Sequence, residues 1–300
     1  MKVLILHTLP PKVCAADRRE WEFDLQYTVE GLAGALAEAV PAAGYGEPAE
    51  IAGLIHCHKP DVVFNLCEAP LGRPDLEAHA AALFEWMGVR FTGSGSQTLA
   101  LCRRKDHTNA VLAANGVPVP RTGVFPCIVK PADEDGSAGV YADSVCEDAA
   151  ALERARARLP GPVVIQEFLP GREFSVTLWG SREPEFVGIG EMTFLNGLRL
   201  VTYESKWDLD GEDYAKTVNY GVDLDPALRG AIVSAARGAW RATGVRGYGR
   251  VDVRQDHRGE VRVMDVNPNP EIGPWSGIRR ALQGAGWTWE EFVRKQVEWA

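Results

Sequence analysis

Gly249-Arg250-Val251-Asp252-Val253-Arg254 and Val261-Arg262-Val263-Met264-Asp265-Val266-Asn267 flank the short polar stretch Asp256-His257-Arg258-Gly259-Glu260. Apolar residues alternating with polar ones predict two strands joined as an antiparallel hairpin. Side chains alternate along a strand, so Arg250 and Asp252 share a face, as do Asp265 and Asn267. If residues 257–260 form a four-residue loop, residue 256 pairs with 261. Counting back then sets Asp252 opposite Asp265 and Arg250 opposite Asn267. Like charges opposed on neighbouring strands repel. A hard divalent cation between them relieves that repulsion, and two carboxylates plus an amide oxygen are ligands that suit Mg²⁺, with Mn²⁺ an alternative. The competing reading is the solvated outer face of a hairpin. Asn267-Pro268-Asn269-Pro270 stops the strand directly after the candidate ligand and favours the metal.

Mg²⁺ commonly brings phosphates with it, so cations are the next question. Lys130 lies inside the apolar strand Cys127-Ile128-Val129-Lys130-Pro131, where a lysine either sits on a solvent edge or reaches for an anion. Asp135-Gly136-Ser137-Ala138-Gly139-Val140 follows. Such a loop lays backbone N–H groups and the Ser137 hydroxyl over phosphates, or is a plain hairpin turn. Lys105, in Arg103-Arg104-Lys105-Asp106, is either a further phosphate contact or surface charge.

The chain has 300 residues, is 46% hydrophobic and 24% charged, and carries a net charge of −9. These are globular values that exclude disorder, collagen and coiled coil as the main architecture. An acidic surface repels nucleic-acid backbones, so no nucleic acid is expected as a partner, while one local phosphate site stays compatible. The apolar run Val3–Leu6 is too short for a signal or a membrane span, so no membrane is expected. Six cysteines without a CxxC spacing suggest reduced thiols and a cytoplasmic setting. His56-Cys57-His58 lacks spaced partners and reads as a helix end rather than a metal cluster. Thr92-Gly93-Ser94-Gly95-Ser96 could cradle an anion at a helix N-terminus, but without GxGxxG it reads as a turn and cap.

Strands at 3–6, 62–66 and 89–91 alternating with helices at 20–40 and 75–87 argue for a parallel sheet, hence an α/β fold. Further strands fall at 128–130, 163–166, 172–179 and 185–194, with a helix over 147–159 and a polar loop over 203–220. Asp225 caps a helix that begins at Pro226 and stops at Gly244, and Thr288 with Glu291 forms a capping box for the last helix. The three parts divide at 1–102, 103–178 and 179–300.

In series, these residues resemble the ATP-grasp superfamily, in particular its D-alanine–D-alanine ligase branch, from about Asp61 to the C-terminus. The matching motifs are Arg104-Lys105-Asp106, Gly116-Val117-Pro118-Val119-Pro120, Val129-Lys130-Pro131 with Gly136-Ser137-Ala138-Gly139-Val140, and Gln166 to Val176. Tyr203-Glu204-Ser205-Lys206-Trp207, Gly249-Arg250-Val251-Asp252 and Asp265-Val266-Asn267-Pro268 complete the series. The resemblance implies an ATP-grasp fold of three lobes, an N-terminal pre-ATP-grasp lobe, a central lobe and a C-terminal lobe with the metal site. ATP would lie between the last two. It implies Lys105 and Lys130 on the phosphates, Ser137 in a covering loop, Glu167 and Leu169 as the adenine hinge, and Glu173 on the ribose. Asp252, Asp265 and Asn267 would hold Mg²⁺. Arg250 would stabilise charge at the attacked carbonyl, Lys206 would contact nucleotide from a mobile loop, and Ser276 would lie near the second substrate.

The implied reaction joins a carboxylate to an amine. The carboxylate takes the γ-phosphoryl group of ATP, and the amine displaces phosphate from the acyl phosphate. Small molecules such as amino acids are the expected substrates, and a homodimer is the expected assembly. Departures fall on the substrate side. The ligase branch follows its first strand with a glycine pair and a glutamate, where this chain has His7-Thr8-Leu9-Pro10-Pro11-Lys12. Trp207 replaces a tyrosine and Glu271 a glycine. The reading is therefore a ligase of this kind with an altered substrate. The alternatives are a synthetase of specialised metabolism that cyclises or joins non-standard amino acids, a plain D-alanine–D-alanine ligase, and a nucleotide-binding regulator without turnover.

Overall fold

The computed structural model describes residues 1–9, 19–134, 136–194, 200, 217–220 and 222–300. The apolar run at the start becomes the strand Val3–Thr8, central in a parallel three-stranded sheet between Ala39–Gly44 and Val62–Leu66. Residues 39–44 read Ala-Val-Pro-Ala-Ala-Gly, a composition poor in strand formers, and were not expected as a strand. An edge position tolerates Pro41, whose missing N–H leaves no central ladder bond unmade. The expected strand at 89–91 shrinks to one bridge between Val63 and Phe91. Helices Arg19–Ala35, Pro48–His58 and Glu77–Trp86 cover this sheet, and His56-Cys57-His58 ends the second of them.

A second three-stranded sheet places Cys127–Pro131 between Val145–Cys146 and Val163–Glu167. Cys127 and Val129 bury against Ala155 and Leu159, so the alternate residues Ile128 and Lys130 face the other way.

The third sheet has five strands and carries the hairpin. In spatial order they are Val261–Asn267, Gly247–Gln255, Glu173–Gly180, Pro184–Thr193 and Thr217–Tyr220. Glu173–Gly180 runs across the division expected at 178 and pairs within this sheet along its whole length. One face packs on the helix Pro226–Thr243, whose Ile232, Ala236, Ala239 and Trp240 meet Val251, Val253 and Val263. At the far end of the sheet, Trp179 stacks on Phe186 at 3.8 Å and joins Ile278, Phe292, Ile5 and Phe64 in one core. That shared core fastens the first lobe to the last helices and fixes the approach to residues 268–276.

The hairpin register at the acidic pair agrees with the count from sequence, but by another route. The turn is one residue longer, so Gln255 pairs with Val261. The register then shifts between Asp252 and Val253, leaving Met264 as the extra residue of a β-bulge, and Asp252 still faces Asp265. The bulge matters because Val261, Val263 and Asp265 share parity. Without it Asp265 would follow the valines into the helix-side core, whereas here it lines the cleft beside Met264.

Asp225 caps the long helix, its Oδ1 accepting from the N–H groups of Ala227 (2.9 Å) and Leu228 (3.3 Å). Asp225→Ala should lower stability by about 1 kcal/mol in a denaturant titration while leaving nucleotide affinity unchanged.

Candidate active site

A cleft separates the second and third sheets. Lys105, Lys130, Ser137, Glu167, Leu169, Glu173, Asp252 and Asp265 all line it. Arg250 and Asn267 adjoin it through Asp252. Arg250 Nε donates to Asp252 Oδ1 (2.9 Å) and Oδ2 (3.1 Å), and Asn267 Nδ2 donates to Asp252 Oδ2 (3.3 Å). Lys206 and Trp207 lie outside the described residues, as does most of the expected loop at 203–220.

The lysines converge on the acidic pair from the opposite side. Lys105 is 6% exposed, and its Nζ lies 3.8 Å from Asp265 Oδ2 and donates to the Glu134 carbonyl at 2.7 Å. It starts the helix Lys105–Ala114 and is held at that end because its backbone N–H donates to the Ala132 carbonyl. Burial pushes the Lys130 ammonium below its ordinary range, Asp265 opposes the shift, and Lys105 adds to it. A group carrying several negative charges between these lysines would relieve both.

The loop over the cleft has the geometry of an anion cradle. Gly136, Ser137 and Gly139 all have positive φ, 68°, 63° and 73°. Tight turns of this kind gather backbone N–H groups into a concavity that suits an anion. At Gly139 a Cβ would come within 2.5 Å of Pro131 Cγ, so no larger residue fits there without moving the loop.

At the other end of the cleft, the Glu167 side chain is taken by Arg121. Arg121 Nη2 donates to Oε1 at 2.7 Å and Nε to Oε2 at 2.9 Å, which leaves the backbone as the part of Glu167 offered to a ligand. The Leu169 N–H has no hydrogen-bond partner among the described residues, as a hinge donor requires. Glu173 pairs with Arg254, whose Nη1 lies 3.2 Å from Oε2. Burial pushes its carboxyl up to about 7, Arg254 opposing and Asp252 adding.

The donor set fits a hard cation. Asp252 and Asp265 are opposed, the Asn267 carbonyl oxygen accepts no hydrogen bond among the described residues, and both carboxylates open on the cleft. Ser276 is 4% exposed and caps the helix Gly277–Ala285, its Oγ accepting from the Arg279 N–H at 3.2 Å. That helix was not foreseen, though Ser followed by Gly-Ile and a later Gly286 carried the signal. The Thr92–Ser96 turn is closed to phosphate by Glu85, which accepts from Ser96 N (2.9 Å) and Oγ (2.5 Å).

With this geometry in place, the comparisons with known proteins are specific. The D-ala D-ala ligase C-terminus family matches residues 100–298. The chain belongs to that family. It is an ATP-grasp enzyme, a carboxylate–amine ligase using ATP and Mg²⁺. The D-alanine–D-alanine ligase of Stutzerimonas stutzeri is 27% identical over 291 residues, covering 91% of this chain and 88% of that protein. The Rhizobium meliloti ligase is 28% identical, covering 88% and 90%. Among solved structures, the D-alanine–D-alanine ligase from Bacillus anthracis complexed with ATP superposes with a TM-score of 0.75. It is 16% identical and covers 99% of this chain and 96% of that one. The VanG D-Ala:D-Ser ligase from Enterococcus faecalis gives a TM-score of 0.73 at 17% identity, covering 99% and 98%. These two establish the shared fold. Among the described residues no helix is long and apolar enough to cross a membrane.

Glu173 generates a pH prediction. Its raised folded value means the proton is retained up to about pH 7, favouring the nucleotide-free fold at low pH and fading as the pH rises through that value. With Glu173 in the ribose role that the resemblance implies, the hydroxyls would donate to the ionised carboxylate, and nucleotide affinity should rise between pH 5.5 and 8. Calorimetric titration with ADP should show this slope, and Glu173→Gln should flatten it. The same slope in both proteins would remove Glu173 from the nucleotide site.

Proposed function

We propose that the ligase acts on amino-acid-like substrates other than two D-alanines, with nucleotide-side residues in the roles their positions support. The observation that carries the nucleotide half is Asp252 facing Asp265 with Lys105 and Lys130 across the same cleft. Lys105 and Lys130 bind the phosphates, and the 134–140 loop covers them. Glu167 and Leu169 present backbone groups to adenine, and Glu173 holds the ribose. Asp252, Asp265 and Asn267 hold Mg²⁺, which when bound neutralises charge on the transferring phosphoryl group. Arg250, tied to Asp252, is the cation placed for the oxyanion at the attacked carbonyl. We place the lobes at 1–102, 103–171 and 172–300, moving the second division so that Glu173–Gly180 stays in its own sheet. The free cysteines among the described residues suit a cytoplasmic setting.

The substrate half rests on what surrounds residues 268–276. Glu68 follows the strand Val62–Leu66 and opens onto the space facing this loop. Partial desolvation, then the charges of Glu77 and Glu271, push its carboxyl upward while the side chain stays exposed to solvent. Asn269 Nδ2 donates to Glu77 Oε1 at 2.6 Å, and Tyr248 Oη donates to Asn269 Oδ1 at 2.6 Å, fixing the loop to the first lobe. Glu77 and Glu271 give the substrate side a negative field that a glycine at 271 would weaken. The plain D-alanine–D-alanine ligase fits the family equally well, and a substrate panel separates the two. Phosphate release should be faster with another amino acid or dipeptide than with D-alanine. D-alanyl-D-alanine synthesis at a rate no other substrate exceeds would overturn the altered-substrate reading.

Asp265→Asn should abolish turnover with a melting temperature within a few degrees of wild type, since the change removes charge and keeps volume. A near wild-type rate would reduce this face to a solvated hairpin.

A further inference from the structure

Among the described residues the Arg279 guanidinium packs on an aromatic ring and meets no carboxylate. Arg279 lies one turn into the helix Gly277–Ala285, half-buried, with its guanidinium carbon 3.4 Å from the centroid of the Trp289 ring. Its guanidinium makes no hydrogen bond or ion pair among the described residues, and its Nε is buried without a partner. Glu290, the acid that acts on it, does so from beyond ion-pair distance. Several other arginines here are matched to carboxylates, as Arg104 to Asp106, Arg121 to Glu167 and Arg241 to Glu183. In a chain of net charge −9, an unmatched, stacked guanidinium at a lobe seam is a costly arrangement.

The surroundings say which side of the molecule it serves. Trp275 meets Tyr27 and Arg279 Nη2 lies beside Gly31, and these two positions are four residues apart on the helix Arg19–Ala35, so both side chains stand on one face of that helix. Ser276, between Trp275 and Arg279, is fastened to Arg279 by its cap. Trp275 is 61% exposed and meets Tyr27, 48% exposed, edge to face at 5.6 Å across the seam to the first lobe. The Trp275 carbonyl is pinned by Arg280 Nη1 at 2.6 Å. The segment leading here comes directly from Asn267, through Asn269 and Glu271. An exposed aromatic pair and a stacked guanidinium, its Nη2 beside Gly31, thus stand at the end of the loop that begins at the acidic pair.

We propose that Arg279 recognises a carboxylate on the amine-donating substrate, with Trp275 and Tyr27 as the apolar wall beside it. The substrate class is then a dicarboxylic amino acid, whose ammonium meets the acidic side of the loop and whose extra carboxylate meets Arg279. Nη groups in the plane of a ring-stacked guanidinium are set for a carboxylate, and the stacking removes most of the side chain's freedom before binding. Arg279 is a specificity residue in this account. It does not touch the reacting atoms, and no step of the chemistry passes through it. The proposal rests on the ligase reading, so the experiment separates the two.

ADP release is measured with full-length protein, ATP and Mg²⁺ over alanine, lysine, aspartate and glutamate in both enantiomers, singly and in pairs. A dicarboxylic amino acid should give the highest kcat/KM. Arg279→Gln should raise its KM about tenfold with kcat and the KM for ATP unchanged, and should leave alanine turnover as it was. Arg279→Lys should recover part of the loss. A KM within twofold of wild type, or an equal rise for every amino acid with a fall in melting temperature, would make Arg279 a packing residue and overturn the proposal. If no amino acid stimulates ADP release, the ligase reading fails instead. Calorimetry of glutamate binding to the wild type and to Arg279→Gln then decides the anion site alone. Binding lost in the variant sustains it, and equal or absent binding in both overturns it.

Discussion

Asp252 and Asp265 stand opposite one another on adjacent strands, a pairing that ordinarily weakens a sheet. Around it the rest of the site is arranged to compensate. Arg250 ties one carboxylate, Lys105 approaches the other, and the Asn267 amide bridges back to Asp252. Even so, one buried lysine, one half-buried lysine and two carboxylates on one cleft are a set of charges that a metal–phosphate ligand completes better than water does. The valines on the opposite strand face hold the pair in place from behind, packed on the long helix. The sheet accepts the local repulsion because its other face is a continuous core.

The same constraint explains the bulge. Strand alternation alone would carry Asp265 to the side of Val263, where an ionised carboxylate in an apolar core is costly. One extra residue at Met264 resets the phase, placing Asp265 on the cleft and Val266 back in the core. The second sheet solves its own version of the problem without a bulge. Cys127 and Val129 face a small helix, and Lys130 follows Ile128 onto the cleft. Two sheets, each with one apolar face covered by helix, are left with opposed polar faces, and the cleft proposed for the nucleotide is the space between them.

Much of this was legible in the sequence because it depends on short-range rules. The period of two across residues 249–267, the lysine inside an apolar strand, the Asp225 and Thr288 caps and the glycines of the 134–140 loop each follow from neighbours a few residues away. What escaped depends on contacts across the chain. Residues 39–44 become a strand only because Val3–Thr8 is there to pair with them. The bulge was visible as a parity conflict between Val263 and Asp265, yet the four-residue turn gave the same register at the site and hid it. Glu85 capping Ser96, and Arg279 stacking on Trp289, link residues that no local pattern connects. The substrate side is least legible for that reason, since it is assembled from the first lobe, the 268–276 loop and the last helices.

The central claim is that the opposed carboxylates form a metal site that serves a nucleotide held by the lysines across the cleft. Calorimetric titration of ATP into the protein, once with excess Mg²⁺ and once in EDTA, tests it most directly. The account predicts tight binding with Mg²⁺ and a marked loss of affinity without it, a difference that Asp265→Asn removes. Equal affinity in the two buffers, or no binding in either, would contradict it.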